Sequence, residues 1–344
     1  MDVLKIAVIG VGSIGGNHAR VLSELPEAQF VAVADQDLET AQAVARHWGV
    51  TAYQDYREML SIERPDAVSI AVPTAFHEEV AIATLEMGVH TLVEKPIANS
   101  MEAGKHIIAT AERCKRLLMV GHIVRFNPAV QQLKQRLEAG QLGRIFQMCA
   151  RRTGPFPTRI QDVGVAIDLA PHDLDLMRFI TNLNPNRLYA EVEHRLHTDH
   201  EDLLLCLLRF PENINASLEI NWLTPTKVRE LMVLGERGMF RVDDLTQDLY
   251  FYENADADSV LWPEMQTLRG VREGSMVRYV FPRFEPLKAE LQAFITAINE
   301  GTPPPVSGED GLVALHLALL LLQSGMDHQV KDITYENCFV SQSR

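Results

Sequence analysis

Little in this sequence suits a polyanionic partner, a membrane or an oxidising compartment. Lys and Arg total 32 against 46 Asp and Glu, a net charge of −14, and no basic run offsets the deficit. Nucleic acid and anionic lipid surfaces both attract clustered cations, so neither is expected as a partner. Cys114, Cys149, Cys206 and Cys338 are widely spaced and form no CxxC pair. That spacing argues against a zinc framework and a disulfide scaffold and fits a reducing compartment, the cytoplasm. The longest apolar run, 312–322, is interrupted by His316 and is too short to span a bilayer, so it reads as a buried helix. Met1-Asp2 leads straight into a strand pattern and leaves no room for a signal peptide.

What is present is an ordinary globular composition, 47% hydrophobic and 23% charged over 344 residues, enough for two domains. Up to about residue 123, short apolar runs (4–9, 30–34, 67–72, 90–93, 117–120) alternate with helical patterns (14–25, 38–48, 78–87, 101–114). This alternation predicts crossover units and a parallel sheet. From residue 124 to 344 the pattern is strand-rich, with runs at 145–152, 203–210, 216–223, 228–234, 238–242 and 249–252 and turn signals between them. An antiparallel sheet is expected there, interrupted by a helix near 169–180. Two C-terminal helices within about 288–325, separated by Gly301-Thr302-Pro303-Pro304-Pro305, are expected to pack back on the first domain.

Gly10-Val11-Gly12-Ser13-Ile14-Gly15 follows the first strand and opens the first helix. Gly10 suits a tight turn, Gly12 a close approach to a pyrophosphate, and Gly15 close helix packing. Asp35 ends the second strand 20 residues after Gly15. A carboxylate there accepts from the adenosine ribose hydroxyls and repels a 2′-phosphate, which favours NAD over NADP. The other reading of Asp35, a helix N-cap, says nothing about the cofactor.

Two further clusters carry chemistry. Glu94-Lys95-Pro96 follows a strand of the same sheet, and ligands in open parallel sheets sit at the carboxyl ends of strands. Asp168 and His172 are four apart, so on one helix they share a face, with Pro171 tolerable in a first turn. A carboxylate so placed orients the ring and stabilises its charged form. His194, His197 and His200 fit no standard zinc spacing and read as a solvated loop around Thr198-Asp199.

With these motifs in this order, and with Pro73-Thr74-x-x-His77 and Arg125-Phe126-Asn127-Pro128, the chain resembles the Gfo/Idh/MocA family of sugar and polyol oxidoreductases over essentially its whole length. The resemblance implies a Rossmann dinucleotide-binding α/β domain plus an α+β domain with a large open, mainly antiparallel sheet, and an active site between them. It implies that Lys95, Asp168 and His172 line the substrate pocket, and that Glu94, Pro73, Thr74 and His77 lie along the cofactor with Gly10, Gly12, Ser13, Ile14, Gly15 and Asp35. Oxidising a secondary alcohol takes a hydride from carbon and a proton from oxygen. His172 suits the base, and Lys95 a hydrogen bond to the developing oxyanion, with Lys95 as base the second choice.

The segment 151–157, leading to Asp162-Val163-Gly164-Val165, is similar to a branch of the family that oxidises nucleotide sugars, UDP-N-acetylglucosamine at C3 in particular. Arg151 and Arg152 could meet a diphosphate, with Arg125 and Asn127 as further substrate residues. The alternative is that the two arginines alternate on a strand and at least one faces solvent. An inositol or free-sugar dehydrogenase, an NAD-dependent glycosidase, and an NAD-binding sensor without turnover stay open. Relatives commonly pair through the open sheet, which implies a homodimer or homotetramer.

Overall fold

The structure, a computed structural model, describes residues 3–157, 163–196, 199–255, 274–336 and 338. The chain divides into two compact units, Met1–Phe126 with Phe284–Leu319 and Thr334–Arg344, and Asn127–Arg283 with Leu320–Ile333.

In the first unit, strands β1 (Leu4–Ile9), β2 (Ala28–Ala34), β3 (Thr51–Tyr53), β4 (Ala67–Ile70), β5 (His90–Glu94) and β6 (Leu118–Gly121) form a parallel sheet in the order β3-β2-β1-β4-β5-β6. Helices α1 (Ser13–Glu24), α2 (Leu38–Trp48), α3 (Tyr56–Glu63), α4 (His77–Glu86) and α5 (Met101–Cys114) make the crossovers. β4 is buried throughout and β1 exposes only Lys5. Continuous apolar strands are what a sheet covered on both faces requires. Local chemistry sets the helix ends. Asp37, Asp55 and Ser100 accept from the backbone N–H of Glu39, Arg57 and Ala103 as N-caps, and Gly49 closes α2 in the left-handed region. Strand order reverses between β1 and β4, the position where such sheets open a ligand crevice.

The second unit contains α6 (Pro128–Glu138), β7 (Ile145–Thr153), α7 (Val165–Asp168), α8 (Ala170–Thr181), β8 (Arg187–Glu193), β9 (Leu203–Arg209), β10 (Asn215–Asn221), β11 (Val228–Gly235), β12 (Gly238–Asp243), β13 (Asp248–Glu253) and β14 (Met276–Tyr279). Two C-terminal helices follow, α9 (Pro286–Glu300) and α10 (Gly308–Asp327), then β15 (Lys331–Asp332). The sheet runs β14-β13-β12-β11-β7-β10-β9-β8-β15 and is antiparallel except where β10 meets β7. Alternation on β9 shows its two faces. Leu204, Cys206 and Leu208 are buried, while Leu205 and Leu207 are 49% and 63% exposed. α6 packs on β12 and β13, and α8 on β10.

α9 belongs to the first unit, where it contacts α1 and the 3-10 turn Ile123–Phe126. Among the described residues, no helix is long and apolar enough to cross a membrane.

One expectation needs correcting. Asp168 and His172 do not sit on a single continuous helix. Asp168 ends α7, Leu169 intervenes at φ −103°, and α8 begins at Ala170 with Pro171 in its first turn. Pro171 has no N–H to extend the ladder from α7, so the chain restarts.

Candidate active site

The glycine turn is read best by asking what a Cβ would strike. At Gly10, φ is +82° and a Cβ would lie 2.8 Å from backbone atoms of Ala71 and Val72. At Gly15 it would lie 1.8 Å from the Gly10 carbonyl oxygen. Both glycines are demanded by the fold itself. Gly12 differs, since a Cβ there meets nothing within 4 Å and its φ is −64°. Among the described residues nothing asks for glycine at 12, whereas a group approaching from outside would. Gly12 is also the N-cap of α1, with no side-chain capping bond and no acid in the first turn. Ser13 and the 43% exposed Ile14 open that helix. Uncapped N–H groups beside an unobstructed glycine fit the diphosphate of NAD.

Asp35 braces the same turn. Its Oδ2 accepts from the Val11 N–H at 2.8 Å and its Oδ1 from the Asp37 N–H at 3.0 Å. Each carboxylate oxygen retains a lone pair for a ribose hydroxyl. The residue therefore shapes the phosphate turn and presents a negative charge beside it.

At the carboxyl end of β5, Glu94 is tied into a buried relay. His18 Nε2 lies 3.1 Å from Glu94 Oε1, and His18 Nδ1 lies 2.7 Å from Ser69 Oγ. Nε2–H faces the carboxylate, and the Ser69 hydroxyl lies against Nδ1. Burial alone would raise the Glu94 pKa, but the His18 hydrogen bond and charge, with Lys95, hold it below the usual carboxylate range. Gly121 makes room, as a Cβ there would stand 3.0 Å from the Glu94 carboxylate. Oε2 of Glu94 accepts from the Lys95 backbone N–H at 3.1 Å, which sets the half-buried Lys95 at the strand end. Glu290 of α9 lies in the same surroundings, fully buried, with neither carboxyl oxygen hydrogen-bonded among the described residues. Burial, and then the charge of Glu94, raise its pKa well above the ordinary carboxylate value.

His77 is 1% exposed, with Nδ1 2.8 Å from the Pro96 carbonyl and Nε2 3.0 Å from that of Val72. Burial lowers its pKa, and a neutral ring donates to only one of the two. It clamps the Glu-Lys-Pro segment to the segment carrying Pro73 and Thr74, where Thr74 opens a 3-10 turn. Arg125 is 6% exposed, and its Nη1 donates to the Pro305 carbonyl and to Asp310.

The second unit holds Asp168, His172 and a group of charged neighbours. Glu201 sets the Asp168 turn. Its carboxylate accepts from the Ala166 N–H at 2.9 Å, and a Cβ at Gly164 would fall 2.2 Å from it. Asp173, beside His172 on α8, binds Arg152 through both oxygens at 2.7 and 2.9 Å, with both side chains buried. Burial would lower the Arg152 pKa, but Asp173 and the further carboxylates Asp244 and Asp168 raise it. Asn127 N-caps α6 through the Ala129 N–H and donates to Asp244, whose pKa burial raises.

These contacts revise the expected substrate residues. Arg151 and Arg152 alternate on β7 and cannot grip one diphosphate together. Arg151 faces the other side of the sheet, 44% exposed, and pairs with Glu219. Arg152 is committed to Asp173 on α8. His18, Glu290, Glu201 and Arg229 were not singled out in the sequence. His18 had a signal, its place three residues after Gly15 on the helix the turn opens. Asp162 and His197 lie outside the described residues, while His194 is exposed and His200 half-buried.

Comparison with known proteins agrees with this geometry. Residues 4–122 match the oxidoreductase family with an NAD-binding Rossmann fold, and residues 130–241 match the GFO/IDH/MocA C-terminal domain. A UDP-N-acetylglucosamine 3-dehydrogenase of Acidithiobacillus ferrooxidans is 30% identical over 316 residues, covering 92% of this chain and 95% of that protein. Its solved structure superposes with a TM-score of 0.82 at 29% identity, over 94% of this chain and 98% of that one. A myo-inositol 2-dehydrogenase of Thermotoga maritima is 26% identical, covering 91% and 94% of the two chains. With a dinucleotide turn, a Glu-Lys-Pro segment and a mixed nine-stranded sheet all present in one chain, and with likeness along the full length, the chain belongs to the GFO/IDH/MocA family of oxidoreductases and carries its NAD-binding Rossmann domain.

Proposed function

We propose that this chain oxidises a secondary ring hydroxyl of a sugar with NAD, and that the sugar is UDP-N-acetylglucosamine, oxidised at C3 to the keto sugar. The observation that carries this reading is the full-length likeness to a UDP-N-acetylglucosamine 3-dehydrogenase, with Lys95, Asp168 and His172 all present. Bound NAD supplies the hydride acceptor. The turn at Gly10–Gly15 holds its diphosphate and Asp35 its adenosine ribose. His172 takes the hydroxyl proton, since an imidazole's ordinary range lies close to neutral pH. Lys95 donates to the same oxygen and favours its developing charge, while Asp168 orients the imidazole or the sugar. Lys95 as the base is the second assignment. Glu94 keeps Lys95 at the end of β5, and His77 holds the segment that follows.

The test is NADH formation on UDP-N-acetylglucosamine, myo-inositol and glucose, with a 2-oxo acid added to recycle retained NADH. Turnover on the UDP-sugar alone is the expected result. Turnover on inositol or glucose alone would move the assignment to a polyol or free-sugar dehydrogenase, which the inositol dehydrogenases among the relatives favour as the second reading. Silence on all three with NAD still bound would leave a glycosidase or a sensor.

NAD rather than NADP follows from the Asp35 charge. Asp35→Ala weakens NAD by about 10- to 100-fold, the scale of lost hydrogen bonds to a charged group. Because Asp35 also braces Val11, both cofactors lose the benefit of an ordered turn. The NAD-to-NADP affinity ratio is therefore the readout, and an unchanged ratio would refute the assignment.

The reading includes a cytoplasmic homodimer or homotetramer. The sheet face with Leu205 and Leu207 leaves large apolar side chains exposed, as an assembly surface does. Solution scattering at micromolar concentration should return a multiple of 38.6 kDa, and a monomeric mass would refute the assembly.

A further inference from the structure

Arg229 was not expected at the site, and its environment differs from that of the other guanidinium groups there. It is the second residue of β11 and the cross-strand partner of Arg152 on β7, so the two share the sheet face on which Arg152 meets Asp173 of α8. Its Nη1 donates to two backbone carbonyls, Thr153 and Val228, each at 2.7 Å. Those bonds hold the planar head in place. Its Nε and Nη2 make no hydrogen bond, and no carboxylate lies within 4.0 Å, among the described residues. The nearby acids are otherwise engaged. Asp173 is spent on Arg152, and Asp244 accepts from Asn127 and lies 3.9 Å from Arg152 Nη1. Arg152, Asp173, Asp244 and Asp168 all act on Arg229 electrostatically. Burial, followed by repulsion from Arg152, lowers its pKa to about 10, so it stays charged at neutral pH.

A half-buried cation held by one nitrogen, with the rest of its fork unspent, matches a planar or tetrahedral oxyanion. It stands where Thr153 ends β7, on the side of the sheet where Asp168 acts. We propose that Arg229 is the anion anchor of the substrate site and binds a phosphate of the substrate diphosphate, so that it selects nucleotide sugars over neutral sugars. This inference rests on the nucleotide-sugar reading above and deepens it. Arg152 has the supporting part. Its repulsion keeps Arg229 from relaxing toward Asp173, and its double bond to Asp173 keeps that carboxylate occupied.

The experiment is calorimetric titration of the full chain, loaded with NADH, with UDP-N-acetylglucosamine, with UDP and with N-acetylglucosamine. Wild type, Arg229→Gln and Arg229→Lys are compared. The expected result is that Arg229→Gln weakens UDP and the UDP-sugar by about 10- to 100-fold, as loss of a charge-assisted fork does. NADH affinity and the response to N-acetylglucosamine stay at wild-type values. Arg229→Lys keeps the charge without the fork and falls between the two. Equal UDP affinity in wild type and Arg229→Gln would overturn the anchor and leave the nucleotide-sugar reading standing. Weakening of N-acetylglucosamine and UDP to the same degree would also overturn it, since that marks a general disturbance of the fold. Wild type that binds neither uridine ligand would overturn the substrate reading, and the anchor with it.

Discussion

Lys95→Ala lowers turnover by at least about 100-fold, the scale of one group that moves or stabilises a proton in the transition state. The fold and NAD affinity stay near wild type. The reason is the way the backbone around Lys95 is held. The Glu94 carboxylate accepts from the Lys95 N–H, and Glu94 itself is held by His18 and Ser69. None of those bonds uses the Lys95 ammonium group. Truncation at Cβ removes the cation and keeps the backbone bond from the Lys95 N–H to Glu94. The measurements are steady-state turnover on whichever sugar is oxidised and NAD titration by fluorescence. Near-normal turnover would remove Lys95 from the chemistry. Loss of NAD binding along with turnover would show that its side chain serves the cofactor instead.

Asp173→Ala produces the largest loss of stability, about 3–5 kcal/mol, because it strands the Arg152 guanidinium in the protein interior. Arg152 and Asp173 are 6% and 3% exposed and meet through two bonds. Asp244, 3.9 Å from Arg152, offers only partial replacement. Replacing both partners, as Arg152→Met with Asp173→Leu, removes the uncompensated charge and recovers much of the loss. Urea unfolding of the single and double variants separates the two effects. A single-variant loss under about 1 kcal/mol would mean that the pair behaves as a solvated surface pair.

The stranded and relieved cases bear on activity as well as stability. Asp173 adjoins His172, so a variant that lets α8 shift also moves the proposed base. The double variant tests this, because apolar packing restores stability without restoring the charge pattern around Arg229 and Asp168.

Much of the first unit was legible in the sequence because its elements are locally determined. β1 and β4 read as apolar runs, since a parallel sheet buried on both faces needs apolar residues at every position. Gly10 and Gly15 were legible for a similar reason, as their backbone conformation and contacts tolerate no Cβ. Other elements were too short or too weakly patterned to read. β3 has three residues, and α3 buries only Met59 and Leu60. In the second unit, β9 was legible as a short apolar run between turn signals, but LLLCLLR does not alternate in residue type, so which of its side chains stay exposed was set by packing.

The sequence by itself determined the class of cofactor site and the change from a parallel α/β pattern to a strand-rich one, and it carries the lysine, aspartate and histidine of the proposed chemistry. Only the tertiary structure decided how the charged residues divide their work. Arg151 and Arg152 are neighbours in sequence, yet the two-residue period of β7 sends one to Glu219 and the other to Asp173. Arg229 is 76 residues from Thr153 and comes beside it only through the register of β11 on β7. Glu290 sits on an ordinary helical pattern, and only the packing of α9 makes it a buried carboxyl, its pKa raised, beside Glu94. The physical reason is the same in each case. Backbone preference is local, whereas the charge, burial and hydrogen bonding of a side chain are set by whichever strand or helix the fold brings against it.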